Sequence, residues 1–390
     1  MRVLASRRCD RQDFLAEAFR FGSPQEYRGL LIWILFRTGI ALLALAVLAG
    51  SGAREHSYSQ APPRHLSEAY RAPPHDWPAA LVDADGDFIE LGALQLPTHV
   101  RSRDPDEARL GRDLFHDRSL SAGNDIACGD CHQESHGWSD GKPAQARRNT
   151  PSLFAAAHRR VFSWDGRHET LQAQMLAPLT DRREMANPDL EAVLDRLRSD
   201  AVYSWRFRSL YGDEGVNAAT LASAFAAFAA RIERPTRFDH FVLGNYDALD
   251  REEIWGLHLF RTKAGCANCH FGPLLTDDRF HNLGLSAFGE PAEDLGRFAV
   301  TGEPDDAGRF RTPSLRHVAR TAPYMHNGHF GTLEGVIHFY ARGGGEVWAR
   351  NEAEANRPLH RFASRLSPHL RPLDLSVLER RALAAFLRAI

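Results

Sequence analysis

From residue 104 onward the apolar positions recur at intervals of three and four, the spacing that gathers them on one face of an α-helix. Asp104-Pro105-Asp106-Glu107 reads as a capping box with proline in the first turn, leading into Leu110, Leu114 and Phe115. Asn187-Pro188-Asp189 opens another helix, with Leu190, Leu194 and Leu197 on one side. Leu221, Phe225, Phe228 and Ile232 form a stripe in an alanine-rich stretch that stops before Pro235. Asp250 and Glu253 bracket a further start, with Ile254, Leu257 and Phe260 behind them. The last helix brings Ala382, Leu383, Phe386, Leu387 and Ile390 together. These stripes are core faces, and strand signals are sparse. The pattern predicts a mostly α protein with long loops.

Two upstream stretches break the pattern. Residues 30–49 are apolar apart from Arg37 and Thr38, long enough for a helix to cross a bilayer. Arg37 divides them, and a basic residue ahead of the apolar run Ile40–Leu48, with Ser51-Gly52-Ala53 after it, is the layout of an export signal. Residues 1–53 therefore read as an export signal, or alternatively as an uncleaved membrane anchor, and place the rest of the chain in the periplasm. Residues 54–100 are rich in Pro, His and Ala without periodicity, which predicts an extended N-terminal segment. About 290 residues remain, enough for two domains with their own cores. A formal net charge of −2 gives no basis for binding nucleic acid or an anionic membrane surface.

The chemistry lies in two copies of one short pattern, Cys128-Gly-Asp-Cys131-His132 and Cys266-Ala-Asn-Cys269-His270. C-x-x-C-H is the spacing of covalent c-type haem attachment. Two thiols one helical turn apart each add to a vinyl group of one porphyrin, and the imidazole that follows ligates the iron. Zinc half-sites and redox dithiols are the alternatives, but neither needs a histidine directly after each pair. Of the five cysteines the remaining one, Cys9, precedes the export segment, so no downstream thiol is left for a structural disulfide. The motifs divide the chain into two c-type cytochrome-like domains, 101–240 and 241–390, with the last helix expected to pack back on the first.

The residues around the motifs go further. LGRDLFHDRSLSAGNDIACGDCH, SWDGRHETLQAQMLAPLTDRREM, GCANCHFGPLLTDDRFHNLGL and FRTPSLRHVARTAPYMHNGHFGTLEGVIHFY resemble the bacterial di-haem cytochrome c peroxidases. The resemblance runs over residues 105–390 and is strongest to their MauG-like branch. It implies two covalently attached haem c groups. The first, on Cys128, Cys131 and His132, would react with H2O2. The loop Gly141–Asn149 carries no histidine to cap its iron, and neither His136 nor His158 takes the family's capping position.

The resemblance also assigns roles. Glu184 matches the family's proton-shuttling carboxylate, Gln174 the residue that orients peroxide, and Pro178 a residue of the distal pocket. By residue type alone, Glu184 reads equally well as a solvated carboxylate. Trp164 matches the oxidisable tryptophan between the haems, although a tryptophan is more commonly a buried anchor. Asn149 and the carbonyls of Thr321 and Pro323 match an inter-haem Ca²⁺ site.

By the same resemblance the second haem, on Cys266, Cys269 and His270, would take its sixth ligand eight residues after Thr332. That position is Tyr340. The peroxidases place methionine there and the MauG-like proteins tyrosine. A thioether stabilises ferrous iron, whereas a phenolate favours more oxidised iron. Met325, His329 and His338 are rival ligands. One position departs from the MauG pattern: two residues before the second motif, a surface tryptophan is replaced by Ala264. Trp205 and Trp255 then stand as candidate exits for oxidising power. The expected activity is oxidation of an aromatic side chain on a partner protein. A plain peroxidase fed by a small cytochrome or cupredoxin is the alternative, and a non-catalytic di-haem electron carrier the second.

Overall fold

The computed structural model describes residues 62–83, 87–95, 104–143 and 148–390. The apolar segment 30–49 and the centre of the loop 141–149 lie outside these residues. Eight helices of nine or more residues organise the described chain: α1 Pro105–Phe115, α2 Leu171–Thr180, α3 Leu190–Ser199, α4 Ala201–Tyr211, α5 Ala218–Ala229, α6 Arg251–Arg261, α7 Leu333–Ala341 and α8 Val377–Leu387. Among the described residues the one sheet is an antiparallel pair, β1 Phe280–Asn282 and β2 Arg309–Arg311, with His281 opposite Phe310. The protein is mostly helical, with long connecting loops.

Local chemistry starts the helices. Asp189, Asn217, Asp250, Thr332 and Ser376 each accept a first-turn backbone N–H at their helix N-terminus. At α1 the expected box does not close. Asp104 accepts from the Asp106 N–H at 2.8 Å, but Glu107 accepts instead from the Tyr211 and Ser223 hydroxyls at 3.0 and 2.6 Å. A tertiary tie to α4 and α5 replaces the local one.

The apolar stripes close into two cores. One gathers Leu110, Leu114 and Phe115 of α1, Leu194 and Leu197 of α3, and Leu221, Phe225 and Phe228 of α5. The other gathers Phe238, Phe241, Ile254, Leu257, Phe260, Leu333, Ile337, Leu383 and Phe386. The chain passes between them over 233–237, where buried Arg316 bridges Glu233 at 3.2 Å and Asp239.

The cores are built alike. In the first, α1 crosses α5 with Gly111 against the Ala224 carbonyl; in the second, α6 crosses α8 with Gly256 against the Ala382 carbonyl. A Cβ on either glycine would lie 1.9 or 2.0 Å from the facing oxygen, so each pair touches through bare backbone. Phe228 and Phe386, four residues after the facing alanines, sit beside the glycines in the same way.

The last helix packs in the second core, against α6 and α7, and there it also meets Phe238 of the segment 101–240, whose N–H reaches the Ala389 carbonyl at 3.0 Å. Phe386 meets Phe260 and Phe238 at 5.3 and 5.6 Å, while α5 already covers the matching face of α1. The N-terminal segment is not simply extended. A short helix, Arg64–Ala69, precedes Tyr70 and Trp77, and all three of Leu66, Tyr70 and Trp77 are buried in the second core. Buried Arg261 of α6 straps it down, donating to the Tyr70 hydroxyl at 2.6 Å and the Pro78 carbonyl at 2.8 Å, and lying over both rings.

Candidate functional site

The two C-x-x-C-H motifs fold the same way. Each opens on a short helical turn, Cys128–Cys131 and Cys266–Asn268. His132 Nδ1 lies 2.9 Å from the Trp138 carbonyl oxygen, and His270 Nδ1 lies 2.9 Å from that of Leu275. A carbonyl can only accept, so each Nδ1 carries the proton and each Nε2 keeps its lone pair for a metal. Burial holds both imidazoles below their ordinary pKa, against the opposing pull of the carbonyl bond, which favours the neutral rings.

The four thiols form no disulfide. Burial pushes Cys128 and Cys266 up to about 12, so neither is a ready thiolate. Among the described residues no cluster of metal-binding side chains joins one motif to the other. The cluster that does occur, Cys269 with Asp277 and His281, has its acid and imidazole already paired at 2.7 Å.

Cys266, Cys269 and His270 line a cavity with about 1840 Å³ of empty space, its open mouth included. Leu283, Leu285, Val336, Ile337, Leu373 and Leu383 give it a largely hydrocarbon wall, which fits the faces of a porphyrin. Tyr340 of α7 and Met325 both line it; His329 and His338 do not. Burial, then the neighbouring Cys269 and Cys266, raise the Tyr340 phenol well above its ordinary pKa, so it holds its proton until a cation replaces it.

At the first motif the geometry is set by a turn. Gln174 and Pro178 lie on α2, and the chain then doubles back, with the Glu184 and Ala186 N–H groups both on the Asp181 carbonyl at 3.0 Å. Met185 N–H reaches the Pro178 carbonyl at 3.2 Å, and the Asn187 side chain reaches that of Leu179 at 2.7 Å. The Met185 carbonyl in turn accepts from Ala122 at 2.9 Å, on the loop that leads into Cys128. Glu184 is therefore stapled between α2 and the approach to its motif. Its side chain is exposed. Its charge, after burial, is one of the causes that raise the Cys128 and Cys131 thiols.

A dipeptide links the two places. Ser163 donates to Gln174 Oε1 at 2.7 Å, while buried Trp164 lines the second cavity and donates its indole N–H to the Asn149 carbonyl at 2.7 Å. Asn149 Nδ2 lies 2.5 Å from the Pro323 carbonyl, and Thr321 joins both in the cavity lining. Asn149 Oδ1 is buried without a hydrogen-bond partner. An orphaned oxygen on a side chain packed against a backbone carbonyl suits a hard cation.

The aromatic exits divide. Trp205 is 67% exposed, but Trp255 is 7% exposed and belongs to the second core. The segment around Tyr70 packs into the same core. Trp348, passed over in the sequence, is 75% exposed. Arg159 and Arg311 of the cavity lining were also missed, because isolated cations in loops make no pattern.

Paired helical cores of one design, each carrying a haem-attachment motif, define a di-haem peroxidase, and the chain belongs to the di-haem cytochrome c peroxidase family. The family's sequence model, described as di-haem cytochrome c peroxidase, matches residues 105–247. The chain is 36% identical over 334 residues to the methylamine utilization protein MauG of Methylorubrum extorquens, covering 80% of this chain and 88% of that one. It is 32% identical over 344 residues to the cytochrome-c peroxidase IdrP2 of a Pseudomonas species, covering 79% and 87%. A solved MauG-like protein associated with microbial copper homeostasis aligns with a TM-score of 0.65 at 30% identity, covering 79% and 95%. The protein is a haem-dependent oxidoreductase of the peroxidase class.

Proposed function

We propose that this is a periplasmic enzyme of MauG type. H2O2 reacts at the first haem, and its two oxidising equivalents pass through the second to an aromatic side chain of a partner protein. The observation that carries the reading is Tyr340 in the same cavity lining as Cys266, Cys269 and His270. Haem bound at each motif supplies the redox chemistry with peroxide. The chain's own residues do the rest. His132 and His270 offer neutral Nε2 ligands. Glu184 takes a proton from one peroxide oxygen and returns it to the other, and its stapled turn keeps it in reach. Gln174, its oxygen held by Ser163, would orient the peroxide through its amide hydrogens, with Pro178 beside it on α2. Trp164 relays electrons between the two sites. Tyr340, once deprotonated, would offer iron held at the second motif an anionic oxygen donor, which favours oxidised states. Asn149 Oδ1 and the carbonyls of Thr321 and Pro323 would be the groups to hold Ca²⁺.

A second reading has one observation in its favour. Met325 shares the same lining, and methionine ligation would suit a plain peroxidase drawing electrons from a small cytochrome or cupredoxin. Separate Tyr340→Phe and Met325→Ala variants decide between them. The first reading expects only Tyr340→Phe to alter the low-spin haem spectrum and to abolish a long-lived oxidised state after H2O2. An effect confined to Met325→Ala would reverse the assignment. Mass spectrometry of the protein partner then separates covalent modification from simple loss of electrons.

A further inference from the structure

Two guanidiniums on the second cavity's wall have no part in the scheme above. Arg311 is buried, giving Nε to the Ser163 carbonyl at 3.1 Å and Nη1 to the Thr312 carbonyl at 2.8 Å and Asp278 at 3.3 Å. Arg159 gives Nη2 to the Phe154 carbonyl at 2.7 Å, and its buried Nε has no partner. Among the described residues no carboxylate pairs with Arg159. Glu233 is engaged by Arg316 and His317, and Asp278 by Arg311. Two cations thus share one acid. Burial first, and then the charge of Arg311, pull Arg159 down to about 9, and burial lowers Arg311 as well. Such an excess of enclosed positive charge persists in a folded protein only where an anion answers it.

The other charged groups of the lining are already matched. His281 pairs with Asp277, and His369 and Arg371 both pair with Asp83. A porphyrin tethered at Cys266 and Cys269 brings carboxylates into this largely hydrocarbon space. The planar fork of a guanidinium is the side chain best shaped to receive them.

We infer that Arg159 and Arg311 seat the propionate carboxylates of the second haem, with Arg159 Nε as a donor directed to that carboxylate. This rests on reading the second motif as a haem site. The two residues are positioning residues: they keep the propionates ionised and offset their negative charge, so that the iron's potential does not follow pH.

The test uses the haem-loaded protein. Intact-mass spectrometry first counts haems, and a wild type that carries one haem refutes the haem reading itself, separately from the inference. With two haems present, the second haem's midpoint potential is measured from about pH 5 to pH 8 in wild type, Arg159→Gln and Arg159→Lys. The expected result is a flat profile in wild type, a potential that falls with rising pH in Arg159→Gln, and recovery of flatness in Arg159→Lys. A fully loaded Arg159→Gln with the wild-type profile overturns the inference. Should Arg159→Gln fail to load haem, the resonance Raman propionate-bending band decides. A shift between wild type and Arg159→Lys supports the contact, and an unmoved band overturns it.

Discussion

Gly256→Ala puts a single methyl group at the crossing on which the second core is built. On an isolated helix the change is favourable by about 1 kcal/mol. At this crossing the new Cβ would lie 2.0 Å from the Ala382 oxygen, 2.7 Å from the Ala382 carbonyl carbon and 2.7 Å from Phe386 Cβ. Two of those atoms are backbone and the third is the root of a side chain, so no rotamer change relieves the clash. Ordinary contact begins near about 3.5 Å, so α6 and α8 must part by about 1 Å. That loosens Phe386 against Phe260 and Phe238 along the same seam. Overpacking costs about 1–3 kcal/mol, and a clash with fixed backbone belongs at the upper end. Net of the helix gain, the expected destabilisation is about 2 kcal/mol, read by denaturant unfolding of the haem-loaded protein. Gly111→Ala is the twin, with its Cβ 1.9 Å from the Ala224 oxygen. Each crossing serves a different core, so Gly256→Ala perturbs the second haem's spectrum and Gly111→Ala the first. A gain in stability, or both variants disturbing the same haem, would refute the reasoning.

Glu184→Gln keeps the shape of the stapled turn and removes the proton acceptor, so stopped-flow mixing with H2O2 is expected to show a reaction slower by about 10²–10⁴-fold at unchanged haem content. An unaltered rate would remove Glu184 from the proton path. The crossover between the cores carries an acid limit. Burial disfavours the charged forms of Glu233 and Asp239, yet bonds from His317 and Arg316 to the first, and from Arg316 to the second, hold both below the ordinary carboxylate range. A carboxylate lowered in the folded state contributes its full stability above the unfolded pKa of about 4 and loses it as pH falls toward the folded value. Acid unfolding should therefore steepen below about pH 4. Arg316→Met is expected to cost about 3–5 kcal/mol at neutral pH and to move the acid loss upward, because Asp239 then stays buried without a cation and Glu233 keeps only His317. A wild-type acid profile in that variant would contradict the bridge.

What could be read from the chain alone follows the range of the forces involved. Caps and stripes are local, so Asp189, Asp250 and the face from Leu221 to Ile232 announce their helices, and covalent attachment fixes C-x-x-C-H within five residues. Glu107 shows the limit: its spacing fits a capping box, but two hydroxyls from α4 and α5 outbid the local donor. Trp255 was open to misreading for a similar reason, since the core that buries it is assembled from distant parts of the chain, among them the segment around Tyr70, which has no periodicity of its own. The distal residues are harder still. Nothing in the spacing of Gln174 and Glu184 tells that Met185 is tied to the approach of Cys128; only resemblance to a family placed them. Gly111 and Gly256 did carry a signal, each a poor helix former in mid-stripe where close backbone approach is the physical excuse. Their shared geometry bears on function, because each crossing anchors the helix pair beside one motif. The chemistry of this fold depends on two sites held at fixed places, and bare backbone contact is a stiffer spacer than interlocking side chains, which can repack.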